Sequence, residues 1–245
     1  MHPLLRLTRT ETRLLLRDPM SVLFALALPP LLLVVLGAVP AFREPVAPDG
    51  LRVIDLYVPV VVALALATLA LTVLPQQLAT HRDKGVLRRL RTTPVRPPTM
   101  LGAQLLMCAA LFLVAATVLL AIGRAAFAVD LPQSPGGFLA ALLLGALAML
   151  AVGLLVGALA PSGTAAGAIG TVLLFPTLFF AGLWIPRTAM PDALRLASDL
   201  TPLGAGVQAL QDATAGQGPQ LWQVAVMLGW TIVAGGLAAR YFRWE

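Results

Sequence analysis

Six stretches of this chain, 20–39, 56–78, 101–122, 138–160, 165–185 and 221–239, contain no Asp, Glu, Lys, Arg or His. A helix needs about 20 apolar residues to cross the hydrocarbon core of a bilayer. Backbone amides have no water to bond there, so only helices and closed barrels cross it. Uninterrupted runs of this length predict an all-α integral membrane protein with six transmembrane helices. Composition closes the alternative: 59% of the residues are hydrophobic and 11% are charged, against about 25% charged in soluble domains. Too few charges remain to cover a water-soluble globule. The formal charge of +6 is embedded in membrane-length apolar runs, so it does not argue for a nucleic-acid partner. The single cysteine, Cys108, excludes a disulfide scaffold and a Cys-rich metal site.

Orientation follows from Lys and Arg in alternate connections. Arg6, Arg9, Arg13 and Arg17, then Arg82, Lys84, Arg88, Arg89, Arg91 and Arg96, then Arg240 and Arg243 put twelve basic residues on one side. Arg43, Arg52, Arg124, Arg187 and Arg195 put five on the other. The rule predicts a multi-pass protein of the cell membrane with both termini cytoplasmic. The first run is longer than the 7–15 residues of a signal-peptide core, so it is expected to stay as a span.

The flanks carry their own pattern. At 100° per residue, Arg6, Arg9, Arg13 and Arg17 form one stripe, and Leu4, Leu5, Leu7, Leu14, Leu15 and Leu16 the opposite half. Two readings fit residues 1–19: an amphipathic helix lying in the headgroup plane, or a plain basic topology signal. In the loop 79–100, Gly85 opens a short segment and Pro94 ends it. Val86, Leu87 and Leu90 share one helical face, and Arg88, Arg89 and Arg91 the other. That face calls for lipid or a protein partner, and an ordinary positive-inside loop is the simpler reading. The segment 186–219 is too apolar for a free loop. It is expected to hold external re-entrant helices with Pro191 and Pro202 at their first positions and Thr201 as an N-cap.

Several chemistries are missing. No ionisable residue stands inside a span to relay protons or hold ions. His2 and His81 are too far apart to make a metal site. The only lysine, Lys84, lies between Asp83 and Gly85, so the chain has no GxxxxGK[ST] nucleotide loop. It is expected not to be an enzyme and to carry no cofactor of its own. What remains is polar lining. Thr68, Thr72 and Gln76 follow at i, i+4 and i+8, with Thr171 and Phe175 on the fifth span. They line a substrate path or hydrogen-bond between helices, the latter worth under about 2 kcal/mol each. Ala146, Gly153, Gly157 and Ala160, and Gly163 with Gly167, read as close-packing positions. Pro29 and Pro30 should kink or break the first span.

The order of these parts resembles the ABC transporter type-2 permeases, which include bacterial drug and antibiotic exporters. The loop Asp83-Lys84-Gly85-Val86-Leu87-Arg88-Arg89-Leu90-Arg91-Thr92-Thr93-Pro94 is similar to that family's [DE]-x-G-x-L-x-x-L-[RK]-x-[TS]-P pattern. Phe180-Ala181-Gly182-Leu183-Trp184-Ile185-Pro186, followed by Pro191 and then Pro202-Leu203, is similar to its late segment. The resemblance implies one permease domain spanning residues 1–245, assembled as a dimer with a second copy or sister permease. Two cytoplasmic ABC ATPase subunits would bring ATP and Mg. It implies that Gly85, Val86, Leu87, Leu90, Arg91 and Pro94 couple to the ATPase. Residues 1–19, with Arg6, Arg9, Arg13 and Arg17, would form an interface helix. Gly182, Pro186, Pro191 and Pro202 would shape an external lid, and the cargo would be a hydrophobic or amphiphilic drug, antibiotic or lipid. An ATP-independent channel or carrier, and a non-transporting sensor or immunity protein, are the other classes open to six uncharged spans.

Overall fold

The computed structural model describes residues 3–45, 50, 52–85 and 97–242. Among these, regular structure is helical apart from one isolated bridge between Pro45 and Arg52. The helices are α1 (Pro3–Leu16), α2 (Pro19–Ala38), α3 (Val53–Asp83), α4 (Pro97–Phe127), α5 (Pro135–Leu159), α6 (Gly163–Phe180), α7 (Asp192–Leu200), α8 (Pro202–Thr214) and α9 (Leu221–Tyr241). Six of them, α2 to α6 and α9, are long and apolar enough to cross a membrane. The end of the bundle that holds α1 and Gly85 is called proximal here, and the end that holds α7 and α8 distal.

The second span is the central column. Its most apolar window is 83% buried, against 22% for α2, α6 and α9. It also runs beyond the apolar stretch, where Arg82 and Asp83 at its proximal end both meet partners. Arg82 donates to the carbonyl of Ala158 at 3.4 Å and to that of Ala160, capping the end of α5. Asp83 accepts from the Gly163 amide at 2.8 Å, beside the N-cap Ser162, at the start of α6. A cation at a helix C-terminus and an anion at an N-terminus each complement the backbone dipole. The tight turn between α5 and α6 is thereby held by the two residues that end α3.

Of the kink or break expected at Pro29 and Pro30, a break does not occur. α2 continues through Pro29 and Pro30, and the adjustment is a π turn at Leu23–Ala27, where the Leu28 amide reaches back to the Leu23 carbonyl. α3 repeats this: a π turn at Leu69–Val73 precedes Pro75, and the Leu74 amide bonds Leu69 instead of Ala70. Pro75 has no N–H for the Leu71 carbonyl. One wide turn absorbs the missing donor without breaking the helix.

Glycines on two neighbouring spans meet the carbonyls so released. A side chain at Gly153 of α5 would run into the Ala70 carbonyl, and one at Gly170 of α6 into that of Leu71. Gly157 packs on Pro75 and Leu78, and Gly163 on Thr80. The small residues therefore bring backbones together where one of those backbones is irregular. Cys108 is buried in the core.

The first helix packs on α4 through a stripe that sequence periodicity did not identify. Glu11 and Leu15 are buried, while Leu5, Leu14 and Leu16 are about half exposed, and Arg6, Arg9, Arg13 and Arg17 are all exposed. A Cβ on Gly102 of α4 would stand 3.3 Å from Leu4. The broad leucine face thus divides between a packed edge and an open one.

Candidate functional site

A groove of about 680 Å³ runs between the first, second and fifth spans, α2, α3 and α6. Pockets for small organic molecules are usually about 300–1,000 Å³. Thr68, Thr72 and Gln76 line it from α3, and Thr171 and Phe175 from α6, so the five positions read as a polar path share one wall. From Tyr57 near the distal end to Gln76 the wall covers roughly 28 Å at 1.5 Å per residue, close to the thickness of a hydrocarbon core. Apart from Ser21 and the Tyr57 hydroxyl the remaining lining is apolar, with Phe24, Leu32, Leu174 and Trp184 among it, and no residue of the lining carries a formal charge.

The threonines do not bond across helices. Thr68 donates to the Leu64 carbonyl at 2.8 Å, Thr72 to that of Thr68 at 2.7 Å, and Thr171 to that of Gly167 at 2.9 Å. Each hydroxyl proton is satisfied within its own helix, so the wall presents oxygen lone pairs and methyl groups. Phe24 and Phe175 are more than half exposed, as are Leu31 on α2 and Val172 on α6. The groove is open sideways between these two spans.

A second cavity of about 440 Å³ lies at the distal end and shares Tyr57 with the groove. The Tyr57 ring stacks on Phe42 with centroids 6.2 Å apart, and its hydroxyl points to the Leu183 carbonyl at 3.5 Å. The cavity's lining is largely apolar but, unlike that of the groove, includes charged residues: Arg52 and Arg187 stand in it with Ser198, Gln208 and Gln211. Arg52 makes a bidentate pair with Asp55, at 2.7 and 3.0 Å, and donates to the carbonyls of Phe127 and Ala128 at the end of α4. Asp55 chiefly, with Asp130 adding to it, holds the guanidinium even more firmly charged than usual. Arg187 donates twice to Asp199 Oδ1, at 2.5 and 3.0 Å, and Gln208 donates to the same oxygen at 2.6 Å.

Of the expected lid residues, Gly182 and Pro186 line this cavity and Pro191 and Pro202 do not. Gly182 has φ +86°, a left-handed geometry that glycine adopts without strain, and it ends α6 with amides 182 and 183 bonded back to Phe179 and Leu178. Thr201 caps α8 by accepting from the Gly204 amide at 3.1 Å, with Pro202 in the first turn. Pro191 stands one residue before α7, at its cap position, not inside the helix. α8 is buried along most of its length, so it is part of the packed body.

At the proximal end, Gly85 ends the α3 arm with φ +64°. Val86, Leu87, Leu90, Arg91 and Pro94 lie outside the described residues. Beside that end is a cluster with no counterpart in the expectations. Glu11 of α1, 4% exposed, lies 3.2 Å from Nε2 of His81 on α3. Burial pushes the Glu11 carboxyl above its usual range. Gln104 of α4, fully buried, lies near enough to offset this in part but makes no hydrogen bond of ordinary geometry. The one signal in the sequence was Glu11 itself, the sole acid within α1.

A family model described as ABC-2 type transporter matches residues 3–214. The chain belongs to the ABC-2 type transporter family. The permease is therefore the membrane subunit of an ABC transporter, and subunits of this family work with an ATPase subunit. The match takes in five of the six spans, the proximal helix and both distal helices, and so includes the groove and the second cavity. Comparison of the permease with curated proteins gives no match.

Proposed function

We propose that the permease is the transmembrane half of an ATP-driven exporter, and that the groove along α2, α3 and α6 is the passage for a hydrophobic or amphiphilic cargo. The observation that carries this reading is the groove itself: an uncharged, laterally open channel of bilayer length with a sparse polar stripe. Both termini would lie in the cytoplasm, as the asymmetry of basic residues requires. A second copy of the chain, or a sister permease, would face the groove across the exposed sides of α2 and α6. Two ATPase subunits would dock at the proximal end against α1, with its exposed arginines, and against the segment opened by Gly85. ATP and Mg would bind there, on the ATPase. The distal helices and Gly182, Pro186, Pro191 and Pro202 would frame the exit.

The test is to break the coupling segment while leaving the spans intact. Leu87→Asp with Leu90→Asp puts two charges where an apolar face would enter a groove on the ATPase. Buried interface anchors cost about 2 kcal/mol or more when lost, and each 1.4 kcal/mol is tenfold in affinity. Co-purification of the ATPase should fall by tens-fold, with membrane levels of the permease unchanged. Transport of a hydrophobic dye into inverted vesicles should fall with it. Retention of the ATPase and of transport by the double variant would remove this segment from the mechanism, and transport without any ATPase would remove the ATP-driven reading.

A further inference from the structure

The two cavities differ in chemistry and meet at one side chain. Tyr57 lines both, with the uncharged groove on one side and the distal cavity on the other. Arg52 and Arg187 line the distal cavity, together with Gln208 and Gln211, whose amides donate to Asp199 and to the Leu56 carbonyl. The carboxylates that hold those arginines, Asp55 and Asp199, are not part of its wall. Asp55 and the carbonyls of Phe127 and Ala128 engage all three nitrogens of Arg52, whereas Asp199 engages only Nε and Nη2 of Arg187. Arginines of this kind suit phosphate and carboxylate oxygens, because the planar fork is pre-oriented and weakly hydrated. Arg187 keeps a third of its side chain accessible, 34%, and its Nη1 makes no bond to protein among the described residues.

We propose that the distal cavity is a head-group site, and that the ligand spanning the two cavities is a single-chain amphiphile with an anionic head. The tail lies along Thr68, Thr72 and Phe175 in the groove, and the head meets Arg187 and Arg52 beyond Tyr57. This rests on the groove being the cargo passage and names the class of cargo. An uncharged head would give Arg187 Nη1 no charged acceptor, and a cationic head would face it directly.

The experiment compares heads on one tail. Dodecyl phosphate, dodecyl maltoside and dodecyltrimethylammonium, each brominated on the tail, are titrated into the permease in phosphatidylcholine nanodiscs. Quenching of Trp184, which lines the groove near Tyr57, reports tail occupancy. Trp184→Phe supplies the background from lipid-dissolved probe. The phosphate should bind at least tenfold tighter than the maltoside, and the ammonium weakest. The preference should shrink severalfold between about 0.05 and 0.5 M salt, since exposed charges are screened over about 10 Å at 0.1 M. Arg187→Gln should bring the phosphate down to the level of the maltoside, and Arg187→Lys should recover part of it. Inorganic phosphate, which has the head without the tail, should compete only at concentrations at least 100-fold higher. Equal affinity for the three heads in the unmodified permease overturns the proposal, a result independent of any variant's folding. Competition by inorganic phosphate at the amphiphile's own concentration overturns it too, because the groove then adds nothing. If all three heads quench Trp184 equally, the groove still holds amphiphiles and only the head-group site is lost. If no probe quenches Trp184 above the Trp184→Phe background, the cargo passage itself is wrong.

Discussion

Gly170 and Leu71 make the most demanding contact in the bundle, since a side chain on the first would overlap the carbonyl of the second. That carbonyl belongs to the helix that α2, α4, α5 and α6 all pack against, so neither partner has room to retreat. Gly170→Ala should destabilise the permease by about 2–3 kcal/mol, within the range for overpacked cores. Gly236→Ala, on α9 with open space around it, should be neutral. Thermal unfolding in detergent of the two variants side by side checks the difference. Glu11 gives a second test. Its carboxyl is raised from an ordinary value of 4.5 by burial, so the folded protein holds a proton that the unfolded chain releases. Stability then falls as pH rises from about 4.5 through the raised value. Glu11→Gln should remove that slope, leaving the variant's Tm above the parent's by a few degrees at about pH 7.5 and no higher at about pH 4.5. A parallel pH dependence in both would assign no role to the buried carboxyl.

Among the elements, the proline-bearing spans separate what sequence reveals from what it does not. Uncharged length is a local property, and the six spans were legible from it. Pro29 and Pro30 were legible as a kink or break, but a π turn as the outcome was not, there or before Pro75. It depends on whether neighbouring backbones can approach the released carbonyls, and for α3 Gly153 and Gly170 supply that approach from other helices. The five groove positions were found because they repeat on helical faces. The pairing of Arg187 with Asp199 and Gln208, and of Glu11 with His81, was not. These join residues across turns or across 70 positions of sequence, and no periodicity links them. Pro75→Ala tests the π turn directly. The new N–H at position 75 gains a partner in the Leu71 carbonyl, which favours an ordinary α turn and shifts the register of residues beyond it by about 100°. Thr72 and Gln76 would then no longer share one wall. The expected outcome is a folded permease at normal membrane levels with cargo-stimulated ATPase activity of the complex reduced severalfold. Unchanged stimulation would mean that the wide turn is a packing feature alone.

At the scale of the whole molecule, the arrangement to check is which end faces the cytoplasm. Cys108 is buried, so the parent chain should be nearly silent to maleimide and can serve as background. Gly136 has open space and an ordinary φ, and Gln217 lies in the connection between α8 and α9. Cysteines at either should be labelled by an impermeant maleimide in intact cells. One at Thr92 should be labelled only after the membrane is opened. External labelling at Thr92 would invert the proposed orientation and exchange the roles of the two ends.

The absence of formal charge along the groove lining has an electrical meaning. A membrane potential does work only on charge that moves through it, about 2.3 kcal/mol per elementary charge per 100 mV. Groove-lining side chains that rearrange carry no formal charge, so the voltage neither drives nor resists their motion. The cargo is another matter. An anion leaving a negative cytoplasm moves down its electrical gradient, so a ligand with an acidic head would be carried partly by the voltage while the groove wall around it remained electrically inert.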